Sequence, residues 1–332
     1  MATSQKTAVY GIGNALVDVQ MAVEDAVLDG IISRPPAGGP EKIRKGNMHL
    51  VTPGFQCDLL GLLAGRDRAT VSGGSACNTL IGVAQLGCPA SYCGKVADDQ
   101  FGRFFGSDLR AAGVNYSVPP GKKGTGTCVV LVTPDAQRTM FTDLGISIEL
   151  TPADLDLDAI AASKWVYIEG YLWDAAGPKA ASELAMEHAK KKGAKVAYSF
   201  SDSFCVRRAL DDFRRFTKEY VDLVFCNEDE AHAFAGQEDT QAALKAIAGY
   251  GTGVALTCGS KGSILMLDGK RHDIPCKPVK PVDTTGAGDL YAAGVLAGLC
   301  KALPPAEAGG LGASMAAKVV AVRGARIPAS AL

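Results

Sequence analysis

The stretch 282–294 reads VDTTGAGDLYAAG, with two threonines and two glycines placed directly before an aspartate. Gly286 and Gly288 permit backbone angles closed to other residues, and the run LYAAGVLAGL that follows has the composition of a buried helix. The loop therefore opens a helix, whose first N–H groups are unpaired and stand at the positive end of the macrodipole. Gly286, Ala287 and Gly288 can thus cradle an anion against the backbone. A carboxylate beside an anion is repulsive unless it has a task. Asp289 has two candidate tasks: taking a proton from a nucleophile that attacks the bound anion, or complementing the helix N-terminus. The window alone leaves both open.

Upstream, from about residue 70, strand-like runs (ASYCGKV, KWVYIEGY, AKVAYSF, VDLVFCN, GVALTCG) alternate with helix-like ones. The latter, NTLIGVAQLG, DDQFGRFFGSDLRAAG, AASELAMEHAKKKG and QAALKAIAGYG, often close on glycine. Repeated βα units predict a mostly parallel sheet covered by helices on both faces, with ligands at the carboxyl ends of the strands. Two segments break the rhythm. Residues about 14–65 hold ALVDVQMAV, the breaker cluster SRPPAGGP and MHLVTP, and residues about 115–145 read as a hairpin around Pro134 and Asp135. Together they predict a small accessory sheet, either a lid that excludes water or an ordinary edge extension. The chain, 1–332, is read as a single domain.

Composition excludes several classes of function. Thirty-four basic against 35 acidic residues give no electrostatic case for nucleic acid or an anionic membrane. No stretch approaches the roughly 20 apolar residues of a membrane span. The opening MATSQKTAVYG lacks the apolar core of a signal peptide, so a cytoplasmic chain is expected. Ten scattered cysteines without a C-x-x-C pair, and four distant histidines, indicate neither a disulfide framework nor a zinc site.

Four further motifs carry candidate chemistry. GIGNALVDV (11–19) lacks the third glycine of a dinucleotide fingerprint, since Leu16 stands there, and it continues as strand. It instead offers Asn14 and Asp18 as hydroxyl partners, and a carboxylate between Val17 and Val19 needs partners of its own. In SGGSACNTLIGVAQLG (72–87), Gly73 and Gly74 allow close approach to the backbone and Asn78 lies one turn into a helix, while Ser72 or Ser75 could simply cap it. CNEDEA (226–231) sets Asn227 and Glu230 three apart, which suits water-mediated Mg²⁺ and equally a capping box. TCGSKGS (257–263) ends a strand with small residues and Lys261; it is either a phosphate-binding turn or a tight β-turn, and is not a Walker A loop.

In this order and spacing the motifs resemble the ribokinase or PfkB family of ATP-dependent kinases over nearly the whole chain. DTTGAGDLYAAGVL is similar to the family's C-terminal signature. SGGSACNTLIGVAQLG with GKVADDQFG resembles the N-terminal one, with Leu80 in place of a small residue and Ala97 in place of a glycine. The resemblance implies a ribokinase-like three-layer α/β/α domain with a small β-sheet lid. It also implies Asp289 as general base and an anion hole from the N–H groups of Gly286, Ala287 and Gly288. ATP phosphates would lie along Thr257, Gly259, Ser260 and Gly262, with Mg²⁺ held through water by Asn227 and Glu230. Asp283, with carbonyls near Arg323 and Gly324, matches a monovalent-cation (K⁺) site. Asn14, Asp18, Gly73, Gly74 and Asn78 match positions that hold sugar hydroxyls.

GIGNALVDV and YIEGYLWD (167–174) resemble the adenosine kinase branch, with Tyr171, then Trp173, as the aromatic that stacks on a base. The expected function is phosphorylation of a primary hydroxyl of a ribonucleoside, adenosine first, with a PfkB-type sugar kinase as the alternative. A phosphofructokinase-like activity would need Arg103, Arg110 or Arg138 aimed at a substrate phosphate. A nucleotide-binding relative without catalysis is the competing class, against which the intact Asp289 argues. Partners are expected to be a small-molecule nucleoside or sugar, in a monomer or homodimer.

Overall fold

The protein is described from a computed structural model covering residues 7–135 and 137–332. The opening residues 1–6 of MATSQKTAVYG and position 136 of the expected hairpin lie outside the described residues. In chain order the strands are β1 (Val9–Ile12), β2 (Leu16–Ala22), β3 (Met48–Leu50), β4 (Ala69–Gly73), β5 (Ala90–Cys93), β6 (Val114–Asn115) and β7 (Gly126–Val132). They continue as β8 (Arg138–Asp143), β9 (Trp165–Glu169), β10 (Lys195–Ser199), β11 (Leu223–Asn227), β12 (Gly253–Thr257), β13 (Ser263–Leu267) and β14 (Lys270–Ile274).

Among the described residues a nine-stranded sheet has the order β14-β13-β12-β11-β10-β9-β1-β5-β6. Its pairs from β12 to β6 are parallel, and β13 and β14 extend it antiparallel. Every residue of β1 and β9 is buried, as expected of parallel strands covered on both faces. Leu80, Phe105, Leu290 and Met315 bring the helices Ser75–Gln85, Gln100–Ala111, Ala287–Cys300 and Pro305–Val320 into one core cluster. Met186, Phe213, Phe234 and Leu244 bring Ala176–Lys192, Leu210–Glu219, Glu228–Ala235 and Thr240–Ala248 into a second, on the other face. This is the three-layer α/β/α arrangement. β1 lies between β9 and β5, where the strand order reverses, so a crevice opens at the carboxyl ends of β1 and β9.

A five-stranded sheet of order β3-β8-β7-β2-β4 adjoins this unit. Its core joins Val19, Met21, Val129, Leu131 and Phe141 with Leu28 and Ile31 of the helix Asp25–Ser33 and Phe55 and Leu59 of the helix Pro53–Leu62. Side chains alternate along a strand, so with Val19 and Met21 turned to that core, Asp18 faces the opposite way. β7 and β8 form an antiparallel hairpin whose turn is held by Thr133 Oγ1 donating to Asp135 Oδ1 at 2.6 Å. The sheet draws β2, β3, β7 and β8 from the two windows expected from the sequence and β4 from outside them. β4 is short, half polar and an edge strand, and so gives little local signal. All ten cysteines are free, and no described helix is long and apolar enough to cross a membrane.

Candidate active site

The 282–289 loop runs into the helix Ala287–Cys300 with Gly286 at its N-cap in the left-handed region (φ 76°). A Cβ there would stand 2.7 Å from Ala325 Cα, so only glycine fits, whereas nothing lies within 4 Å of one at Gly288. The N–H groups of Gly286 and Gly288 have no protein partner among the described residues, while that of Ala287 turns back to Thr284 O at 3.3 Å. Two of the three N–H groups expected to form an anion hole are thus free, and the third is weakly held.

Asp289 stands one turn in, and its carboxylate accepts from Ser75 Oγ at 2.6 Å and from Asn78 Nδ2 at 3.0 Å. Burial pushes its pKa up to about 6 against the lowering effect of these two donors. A base with that pKa is ionised at neutral pH and still able to take a proton. Asn78, expected beside substrate hydroxyls, is here a partner of Asp289. Ser75, read in the sequence only as a cap, is its second partner.

The crevice at the ends of β1 and β9 is organised by Glu169, which sequence reasoning missed as a site residue. It is 1 % exposed and accepts from the backbone N–H of Asn14 at 2.6 Å and of Ala76 at 2.8 Å. Burial raises its pKa to about 7, opposed by those two N–H groups and reinforced by Asp289. The available signal was a carboxylate inside the apolar run WVYIE, the same argument that singled out Asp18. A Cβ on Gly13 would lie 2.6 Å from Glu169 Oε2, and one on Gly74 (φ 97°) 2.2 Å from Asn14 O. The Cα of Gly73 likewise lies close under Asp18, where a Cβ would be 2.5 Å from Oδ1. Asp18 is pushed up to about 6 by burial, against Arg138 and Arg326 and with Asp289. Asn14, Asp18, Gly73, Gly74, Asn78 and Asp289 therefore share one neighbourhood between the two sheets.

On the other side of the anion loop a cavity of about 590 Å³ is lined by Thr257, Gly259, Ser260 and Gly262 together with Thr284, Ala287 and Gly288. Val279, Pro281, Ala316 and Val320 add apolar surface to its lining. Small polar groups, backbone N–H groups and aliphatic surface around one space suit a phosphorylated ligand with an apolar ring. Gly262 (φ 100°) lets the turn pass under Ile274 O, 2.2 Å from a Cβ position.

Asn227 and Glu230 form a capping box on the helix Glu228–Ala235: Asn227 Oδ1 accepts from Glu230 N at 2.9 Å, and Asn227 N and Nδ2 donate to the Glu230 carboxylate. Glu230 is nevertheless 6 % exposed, with its pKa raised to about 7 by burial and by Asp202, Asp229 and Asp289. No described cluster of three His, Cys, Asp or Glu residues could hold a bare metal ion. A single carboxylate in an acidic field fits an ion that keeps most of its own waters, as Mg²⁺ does.

Asp283, expected at a K⁺ site, accepts from three N–H donors. Its Oδ2 accepts from Arg138 Nη1 at 2.7 Å and Gly324 N at 2.8 Å, and its Oδ1 from Thr285 N at 2.9 Å. One of these three donors is a cation. The other arginines considered for a substrate phosphate are engaged elsewhere, Arg103 with Asp98 and Arg110 with the Tyr116 carbonyl. Tyr171 lies in the turn Gly170–Asp174 and donates to Ser201 O at 3.1 Å, and burial, then Asp202, raises its hydroxyl well above the ordinary tyrosine range. Tyr171 and Trp173 both pack against the second core cluster, Trp173 edge-on to Phe216 with centroids 5.1 Å apart.

A model of the pfkB family of carbohydrate kinases matches residues 61–332. The crystal structure of an adenosine kinase from Sinorhizobium meliloti is 38% identical, with TM-score 0.88 over 97% of this chain and 96% of that one. An adenosine kinase of Saccharomyces cerevisiae is 34% identical over 70% of this chain and 72% of its own length. A fructokinase of Klebsiella pneumoniae is 30% identical over 68% and 76%. With the family model matching most of the chain, the protein belongs to the pfkB family of carbohydrate kinases.

Proposed function

We propose that this kinase transfers the γ-phosphoryl group of ATP to a primary hydroxyl of a ribonucleoside, adenosine first, by direct transfer with inversion at phosphorus. The observation that carries this reading is Asp289, held by Ser75 and Asn78 between a crevice of hydroxyl-binding groups and free N–H groups at a helix start. The acceptor lies in the crevice, its hydroxyls met by Asn14 and Asp18 where Gly73 and Gly74 allow close approach. ATP lies in the cavity along Thr257, Gly259, Ser260 and Gly262. Asp289 takes the proton as the hydroxyl oxygen bonds to the γ-phosphorus, and the bond to the β–γ bridging oxygen breaks to release ADP. Gly286 and Gly288 N–H groups, with Ala287 beside them, stabilise the charge on the transferring group. Asn227 and Glu230 would hold Mg²⁺ through its waters, and the ion would supply positive charge against the phosphates. The five-stranded sheet closes over the crevice as a lid and excludes water that would otherwise compete as nucleophile.

The nucleoside reading is supported by the likeness to an adenosine kinase over nearly the full chain, and Tyr171, in the turn that follows β9, is the aromatic proposed to stack on the base. A sugar acceptor is the second reading, supported by the fructokinase likeness. The test is to incubate the purified protein with MgATP and adenosine and locate the new phosphate by ³¹P NMR. A 5′-monophosphate is expected; ADP formation without a phosphorylated nucleoside sinks the nucleoside reading.

A further inference from the structure

Arg138 opens β8 in the smaller sheet, and Asp283 opens the anion loop 145 residues later. Their 2.7 Å ion pair is almost wholly enclosed, with side chains 6 % and 10 % exposed. The three donors on Asp283 hold it below the usual carboxylate range despite partial burial, chiefly through the Gly324 and Thr285 N–H groups and then Arg138. A monovalent cation needs several oxygen lone pairs directed at one point and no positive neighbour. Here N–H donors take three of the roughly four lone-pair positions of the Asp283 carboxylate, and the nearest charge is a guanidinium that never deprotonates.

We propose that Arg138 is a positioning residue that supplies internally the positive charge expected of K⁺ at Asp283. The pair keeps the 283–288 loop in its anion-binding shape and ties it to the smaller sheet, so that turnover is independent of monovalent cations. The idea rests on reading Gly286–Gly288 as the phosphate-binding loop. A point charge from solvent could neutralise Asp283, but only a side chain anchored in β8 also couples the loop to the sheet over the crevice. The single charge-assisted bond from Arg138 Nη1 to Asp283 Oδ2 fixes direction as well as charge.

The test compares K⁺, Na⁺ and tetramethylammonium chlorides at equal ionic strength, reading both turnover and thermal midpoint. Wild type should show the same kcat and midpoint in all three, within about twofold in rate. Arg138→Met, which keeps bulk and loses charge, should lose most of its activity in tetramethylammonium and recover part of it in K⁺, with a K⁺-dependent rise in midpoint. Arg138→Lys should rescue turnover without K⁺. Should Arg138→Met fail to fold, the pair Arg138→Met with Asp283→Asn removes both charges and is expected to fold and ignore K⁺. A wild-type rate or midpoint that rises with K⁺ overturns the proposal, as does an Arg138→Met enzyme that is fully active in all three salts. If no acceptor is phosphorylated, the functional reading fails, while the midpoints still decide the cation question.

Discussion

Replacing Asp289 by Asn separates a general base from a helix cap. Ser75 Oγ and Asn78 Nδ2 both donate to the carboxylate, at 2.6 and 3.0 Å. The amide oxygen of the replacement can keep the bond from Asn78, and the Ser75 hydroxyl can rotate to accept from the new NH₂. The loop and its N–H groups therefore stay in place, and ATP should bind as before. Loss of a general base costs about 10²–10⁴ in kcat, or about 2.7–5.4 kcal/mol of barrier.

The pH dependence gives a second signature. Asp289 is raised from 3.8 to about 6 in the folded protein, so the wild-type rate should fall below pH 6, with about a tenth of the base ionised at pH 5. The variant should lack that limb. For stability the sign is opposite to that of a salt-bridged carboxylate. Protonation is favoured in the folded state, so the stabilising contribution is complete below about 3.8 and is lost as pH rises through about 6. Asp289→Asn should accordingly melt higher than wild type at pH 7, by on the order of 2–3 kcal/mol in unfolding free energy. Steady-state kinetics from pH 5 to 8 with a thermal melt at each pH reads all three. Turnover within tenfold of wild type, or an acid limb that survives the substitution, refutes the role of Asp289 as base.

Other substitutions probe neighbouring parts of the site. Gly286→Ala forces a left-handed position and a clash with the Ala325 backbone, and should destabilise by at least about 1–2 kcal/mol in urea melts. Gly288→Ala has open space and should fold normally, yet its methyl intrudes where phosphate binds, raising the ATP KM roughly tenfold or more; equal effects from the two would contradict the loop's geometry. Glu169→Ala strands the N–H groups of Asn14 and Ala76 and should cost about 2–5 kcal/mol together with a raised acceptor KM, and an unchanged melt would remove Glu169 from the account. Tyr171→Ala should raise the KM of a nucleoside by a factor corresponding to about 1–3 kcal/mol of stacking, with the ATP KM unmoved, while Tyr171→Phe stays near wild type. A Tyr171→Ala enzyme with unaltered KM would take Tyr171 out of the acceptor site.

How much of this was legible in the sequence depends on the range of the interaction. The loop before Asp289, the parallel strands and the glycine-closed helices are local patterns, and the structure has them at those positions. Gly73, Gly74, Gly286 and Gly288 were legible as places where a ligand can approach the backbone, though not that Asp18, Asn14 and Ala325 lie over 73, 74 and 286. β13 and β14 were not foreseen, because an antiparallel extension beside a parallel sheet has no separate periodicity. The partners of Asp289 lie 211 and 214 residues away and Glu169 reaches Asn14 across 155, so no local window contains both ends. Arg138 was noted only as a candidate for a substrate phosphate. Its partner became apparent once β8 was folded against the anion loop. At Asn227 and Glu230 the sequence allowed a cap or a metal-organising pair, and the structure has the cap while leaving Glu230 buried in an acidic field.

The central claim is that Asp289 deprotonates a nucleoside hydroxyl attacking ATP, and a competition assay addresses it most directly. Purified wild-type protein with MgATP is offered adenosine, inosine, cytidine, ribose and fructose together, and the phosphorylated products are quantified by mass spectrometry against Asp289→Asn. The account predicts adenosine 5′-monophosphate as the dominant product in wild type and its near-complete loss in the variant. Preferential phosphorylation of fructose or ribose, or undiminished product from the variant, would contradict it.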